Sequence, residues 1–192
     1  PSSAAFMVVA ALIVPESNIV IENVGINPTR TGLFDVLRDM GGDIRFAKKR
    51  TVGGEPVADI HVRHSALTAI DVPAKIAPSM IDEFPILFIA AAMASGQTIT
   101  SGLHELRVKE SDRLSQMAKG LELLGVKLTE KEDGLTIEGS GGKTLSGGKA
   151  KAMIETALDH RIAMSFAIAG LVTKSGLAID DITPTQTSFP GF

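Results

Sequence analysis

The sequence predicts an α/β protein built from repeated helix-strand-helix-strand-strand units, in which small sheets surround parallel buried helices. Three observations carry this prediction. The segments SSAAFMVVAAL from Ser2, DEFPILFIAAAMASG from Asp82 and DHRIAMSFAIAGL from Asp159 each begin polar, continue as Ala-rich apolar runs, and recur about every eighty residues. Each is followed by a short β-prone stretch. In the first two units an amphipathic helix then ends at a glycine and runs into alternating strands.

The elements follow in order. Apolar residues fill nearly every position of the three runs after the first turn, the pattern of a helix buried on all sides. The stretches NIVIENV from Asn18, QTITSGL from Gln97 and GLAIDDI from Gly176 read as strands. Leu33, Val36, Leu37 and Met40 share one face of the second helix in unit one, as Leu114, Met117, Leu121 and Leu124 do in unit two. Gly41 and Gly125 supply the left-handed residue that closes these helices. DIRF and VKLTE are the next strands, and ADIHVR from Ala58 and GLTIEG from Gly134 close the units after turn-rich connections such as RTVGGEPVAD. The third unit reaches SFPGF before its amphipathic helix and closing strands. The expected organisation is thus one domain over residues 1–192, with units at roughly 1–78, 79–155 and 156–192, the third incomplete. A chain that opens on Pro1 is expected to be a piece of something longer.

Composition narrows the functional classes. With 192 residues and 44% hydrophobic content the chain can bury a substantial core. The absence of cysteine removes disulfides and thiolate metal sites and suits the cytoplasm. A net charge of −3 without Trp or Tyr argues against a nucleic-acid binder, which needs a basic face and stacking aromatics. The opening apolar run has no basic flank and is too short to span a bilayer, so no membrane role is expected.

Parallel buried helices would open their amino ends on one face, where free N–H groups and aligned dipoles favour phosphate or carboxylate. Ser2 and Ser3, Asp82 and Glu83, and Asp159, His160 and Arg161 all fall at those ends. In KESDR, a helical start would place Lys109, Glu110 and Arg113 on neighbouring positions of one face. That arrangement can hold an anion between two cations with a carboxylate beside it; it can equally be a solvated helix start with a salt bridge between Glu110 and Arg113. Unit one carries only Arg30 at the matching place, NPTRTGL, so the repeat does not require the cluster. DHRIAM sets His160 and Arg161 at the mouth of an apolar helix, where a charge is costly unless paired, exposed or liganded. The alternative there is an N-capping Asp159 followed by exposed polar residues. PSMIDEFP reads either as an acidic helix start with Pro85 in the first turn or as a base, Asp82 or Glu83, facing the cations. GSGGKTLSGGK, from Gly139 to Lys149, ends like a phosphate loop but has Ile137 where the first glycine is required, so it reads as a plain loop. No His or carboxylate spacing supports a metal site.

LRVKESDRL, LDHRIAMSF, PSMIDEFPIL and TSFPGF, in one chain, resemble the 5-enolpyruvylshikimate-3-phosphate synthase family over all 192 residues. NPTRTG and PSMIDEFP are similar to its class II, glyphosate-tolerant bacterial branch. The resemblance implies an enolpyruvyl transferase-like fold of two domains, each of three helix-and-sheet units whose helix amino ends face the cleft between them. This chain would be most of the carboxyl-terminal domain, partnered by the amino-terminal one. The implied reaction joins phosphoenolpyruvate to the 5-hydroxyl of shikimate 3-phosphate, releases phosphate, and uses no metal or organic cofactor.

Carried over residue by residue, the resemblance gives Lys109 and Asp82 contacts with shikimate 3-phosphate. It gives Arg113 and Arg161 a grip on phosphoenolpyruvate, with His160 beside it. Asp82 becomes the base for the attacking hydroxyl, and Glu110 with Lys109 handles proton transfer at the methylene carbon. Two departures stand out: Thr187 and Ser188 precede Phe189 where some relatives place a lysine, and Glu105 stands where some carry asparagine. The competing readings are the enolpyruvyl transferase acting on UDP-N-acetylglucosamine, and a catalytically silent binding module of the same fold.

Overall fold

The computed structural model describes residues 1–147 and 152–192. Its first unit runs α1 (Ser2–Ile13), β1 (Asn18–Gly25), α2 (Gly32–Asp39), β2 (Asp43–Val52) and β3 (Glu55–Arg63). The second runs α3 (Phe84–Met93), β4 (Gln97–Ile99), α4 (Arg113–Leu123), β5 (Lys127–Lys131) and β6 (Gly134–Glu138). Then follow β7 (Ala152–Ile154), α5 (His160–Gly170), β8 (Leu177–Ile179) and the single turn α6 (Thr185–Ser188). The repeated order and the three sheets bear out the α/β class read from the sequence.

All ten residues of α3 are buried, as are eight of the twelve in α1, from Ala4 to Ile13. Such helices have no polar face to offer water, so they must lie inside the ring of sheets. Their amino ends meet: the Ser2 hydroxyl on α1 donates to Glu83 Oε1 at 2.5 Å just before α3, and Arg161 on α5 reaches the same oxygen at 3.5 Å. The three helices therefore run parallel.

The first two sheets have one topology, with the last strand of the unit in the centre: β1-β3-β2 and β4-β6-β5, all antiparallel. Ile60 of β3 pairs with both Ile21 and Phe46, which puts the apolar face of the sheet on the core. Gly41 and Gly125 close α2 and α4 at φ of +94° and +80°, as expected of C′ residues.

Two features differ from the sequence reading. RTVGGEPVAD is not a long connection: Val52 pairs with Glu55 across Gly53 and Gly54, a two-residue hairpin turn, and its flanks are solvent-facing strand whose polar residues hide the alternation. Second, β7 was not foreseen. It pairs in parallel with β8, Ala152 opposite Leu177 and Ile154 opposite Ile179, so a strand precedes α5 as well as follows it. The second unit has the same feature in reduced form, with Ala69 N–H bonded to Ser95 carbonyl at 2.9 Å and Ile99 N–H to Ile70 carbonyl at 3.1 Å. In the GSGGKTLSGGK loop no helix follows over Gly139–Gly147; Gly148 and Lys149 lie outside the described residues.

α4 seats directly on α5 at Gly120. A methyl group there would stand 2.1 Å from Cζ and 2.6 Å from Cε2 of the fully buried Phe166 ring. Gly120→Ala is expected to lower folding stability by about 1–3 kcal/mol through overpacking, read by urea denaturation; an unchanged midpoint would mean that the two helices are not in close contact.

Candidate active site

The turn carrying Lys109 and Glu110 is shaped by its neighbours. Asp112 caps α4, its Oδ1 accepting from Ser115 N–H at 3.0 Å, and this competing acceptor keeps the helix from extending back through Lys109. Lys109 and Glu110 therefore precede the helix, which corrects the expectation that they share a helical face with Arg113. A 3₁₀ turn over His104–Val108 brings Arg107 beneath them. Arg107 donates to Asp112 at 3.0 Å, to Glu130 at 2.8 Å and to the Glu132 carbonyl at 2.7 Å, and so ties the turn to the β5-β6 hairpin.

Arg113 is the hub of the cluster. Its side chain is only 1% exposed, and each of its nitrogens meets a carboxylate: Nε donates to Asp159 Oδ2 at 2.8 Å, Nη1 to Asp82 Oδ1 at 3.0 Å and Nη2 to Glu110 Oε2 at 2.5 Å. The salt bridge between Glu110 and Arg113 thus exists, inside a larger network rather than on a solvated face. The three carboxylates are not equivalent, since Asp159 is 0% exposed, Asp82 36% and Glu110 51%. Glu110 can swing into water and leave Nη2 to an incoming anion; Asp159 cannot.

Arg161 donates through Nη1 to the Asp82 carbonyl at 2.9 Å and to Glu83, itself buried, at 3.5 Å. Its Nε and Nη2 make no hydrogen bond among the described residues. Lys109 pairs with Glu105 and lies 3.7 Å from Asp82 Oδ1. Arg30 donates to the Ser2 hydroxyl at 3.3 Å. Asp159 does cap α5, accepting from Arg161 N–H at 2.9 Å, so the structural reading of DHR holds alongside its place in the charge cluster.

Burial opposes ionisation of Asp82, but Arg161, Lys109 and Arg113 outweigh it and hold the carboxyl below its ordinary range. The bond to Glu105 raises Lys109 further above neutrality. For Arg113 burial works against the charge, and Asp159, Glu110 and Asp82 more than compensate. Burial, then the neighbouring Arg161, lower His160 from the ordinary imidazole range.

All of the residues singled out from the sequence, Asp82, Lys109, Glu110, Arg113, His160 and Arg161, fall at this junction of helix ends. The His160 ring opens α5 and makes no side-chain hydrogen bond among the described residues. Sequence reasoning missed Arg107 as the anchor of the turn, and Asp159 as the partner of Arg113; an acid directly before His-Arg at an apolar helix mouth was the available sign. A cavity of about 420 Å³ lies elsewhere, between α4 and β7, and is lined by Gln116, Lys119, Leu123 and Met153. It holds none of these charges. Among the described residues no group of His, Asp and Glu is placed to hold a metal ion, and no helix is long and apolar enough to cross a membrane.

Comparison with known proteins places the geometry in context. The family model described as EPSP synthase (3-phosphoshikimate 1-carboxyvinyltransferase) matches residues 1–192. The chain is 63% identical over 192 residues to a 3-phosphoshikimate 1-carboxyvinyltransferase of Zymomonas mobilis, covering 100% of this chain and 42% of the relative. One from Sphingopyxis alaskensis is 61% identical with the same coverage. Among solved structures, an EPSP synthase from Acinetobacter baumannii superposes with a TM-score of 0.93 at 49% identity, covering 98% of this chain and 43% of that one. The enolpyruvyl transferase NikO from Streptomyces tendae, 18% identical with a TM-score of 0.71 over 99% of this chain and 39% of its own, shares the fold. The chain spans under half the length of the relatives it matches.

Proposed function

Because the chain belongs to the EPSP synthase (3-phosphoshikimate 1-carboxyvinyltransferase) family, we propose that it supplies one side of a cleft in which phosphoenolpyruvate and shikimate 3-phosphate react to give the enolpyruvyl ether and phosphate. It forms most of the carboxyl-terminal domain of a cytoplasmic two-domain enzyme, and the amino-terminal domain closes the cleft. The observation that carries this reading is the meeting of Lys109, Arg113 and Arg161 with Asp82 and Glu110 where the amino ends of α1, α3 and α5 come together.

Both substrates are anions and repel each other, so catalysis first requires cations to hold them at reacting distance. Arg161, with two nitrogens unengaged among the described residues, and Arg113, once Glu110 swings away, receive phosphoenolpyruvate beside His160. Lys109 and Asp82 receive shikimate 3-phosphate. Asp82 takes the proton from the 5-hydroxyl as its oxygen bonds to C2 of phosphoenolpyruvate, while Glu110 with Lys109 delivers a proton to C3, giving the tetrahedral intermediate. The C2–O bond to phosphate then breaks as a C3 proton returns to the enzyme. In the free protein three cations keep Asp82 weakly basic; bound anions neutralise those cations, and the basicity of Asp82 rises when its substrate is in place. These steps are acid-base chemistry and call on no metal or organic cofactor.

The test is a chimera in which this chain replaces the matching residues of the Zymomonas mobilis relative. Phosphate release that requires both phosphoenolpyruvate and shikimate 3-phosphate is expected, with little or no turnover by the chain alone, since half a cleft excludes no water. No release from a folded chimera would refute the reading, and release with UDP-N-acetylglucosamine instead would shift it to that acceptor.

A further inference from the structure

We propose that Asp159 is a positioning residue: it locks Arg113 and the first turn of α5 into one register and so decides which edge of the Arg113 guanidinium faces the substrates. The proposal rests on the function given above and goes beyond it, because Asp159 touches neither the open face nor the reacting atoms.

The carboxylate is fully buried and uses both oxygens. Oδ1 accepts from Arg161 N–H at 2.9 Å, and Oδ2 from Arg113 Nε at 2.8 Å and from the Ser111 hydroxyl at 3.0 Å. A helix cap needs one acceptor, which a serine or asparagine supplies at no charge. The other two core helices, α1 and α3, do without any side-chain cap. A buried anion in the third is therefore more than a capping requirement.

The division of labour around Arg113 points the same way. Asp159 holds Nε permanently out of water, whereas the groups at Nη1 and Nη2, Asp82 and Glu110, are 36% and 51% exposed and exchangeable. One edge of the planar fork is anchored and the other is presented. Because the same carboxylate holds the backbone N–H of Arg161, it couples the placement of one arginine's head group to the other's main chain. Ser111, in the turn with Lys109 and Glu110, brings that turn into the same register.

The experiment uses the chimera with Asp159→Asn, which keeps shape and a capping oxygen but cannot serve the cap and Arg113 together. The KM for phosphoenolpyruvate is expected to rise roughly a hundredfold, the scale of a small misplacement of a binding group, with a much smaller rise in the KM for shikimate 3-phosphate, whose contact Lys109 is tied to Asp159 only through Ser111. Asp159→Ser, which caps but cannot reach Arg113, should behave alike; wild-type kinetics in that variant would reduce Asp159 to a cap and overturn the proposal. In an Arg113→Lys background there is no fork to position, so adding Asp159→Asn should cost less than about twofold more, and fully multiplicative losses would also overturn it. Should the wild-type chimera release no phosphate, the functional reading fails separately. The positioning role is then decided by proton exchange at Arg113 Nε: exposure in Asp159→Asn with α5 amides still protected supports it, and unchanged protection refutes it.

Discussion

Replacing Arg113 with alanine is expected to abolish phosphate release by the completed enzyme and to lower folding stability by about 3–5 kcal/mol, the cost of breaking a buried ion pair from one side. The two effects have separate origins. The stability loss comes chiefly from Asp159, which is fully buried and would be left with the Ser111 hydroxyl and the Arg161 N–H but no cation. Asp82 and Glu110 are exposed enough to recover water and add little. The activity loss comes from the missing fork at the proposed anion site. Urea denaturation measures the first and phosphate release the second. A stability change below about 1 kcal/mol, within the range of an ordinary surface substitution or slightly above it, would show that Asp159 finds other compensation and that Arg113 is not the keystone of the cluster.

Asp82→Asn is expected to lower kcat by about 10²–10⁴-fold, the usual contribution of a general base, with a smaller effect on either KM. Its pH signature is as informative as its rate. The folded-state pKa of Asp82 is depressed: burial pushes it up, but Arg161, Lys109 and Arg113 together pull it further down. A depressed acid contributes stability in full above its unfolded pKa, and that contribution fades as pH falls through the folded value. The stability gap between the wild type and Asp82→Asn should therefore be widest near neutrality and close below about pH 4, where carboxylates titrate. A gap independent of pH would mean that the three cations do not act on Asp82, and the proposed rise in its basicity on anion binding would lose its foundation.

Much of the architecture is legible in the sequence. α3 is apolar at every position, and a helix of that kind has only one place to go. The glycines after α2 and α4 mark their ends, and the strands that follow alternate clearly enough to be read. What escaped was β7, a strand by virtue of its parallel pairing with β8 on the far side of α5, and the outer half of the β2-β3 hairpin, whose polar side chains carry no burial signal.

For the site, the sequence sets the charges of KESDR and DHR at helix mouths, where a charge beside an apolar helix is costly unless it is paired, exposed or liganded. It could not say which partner each would have. Arg113 and Asp82 are separated by 31 positions, Arg113 and Asp159 by 46, and Arg161 and Glu83 by 78. Hydrophobic period and capping are local properties that a short window of sequence contains. Ion pairing in a low-dielectric junction depends on distances of a few ångströms between segments that only the packing of α3, α4 and α5 brings together. Only the fold makes Asp159 a helix cap and an arginine anchor at once, because Arg113 reaches it from another helix; the Asp112 cap that leaves Lys109 and Glu110 ahead of α4 is a local signal within the chain.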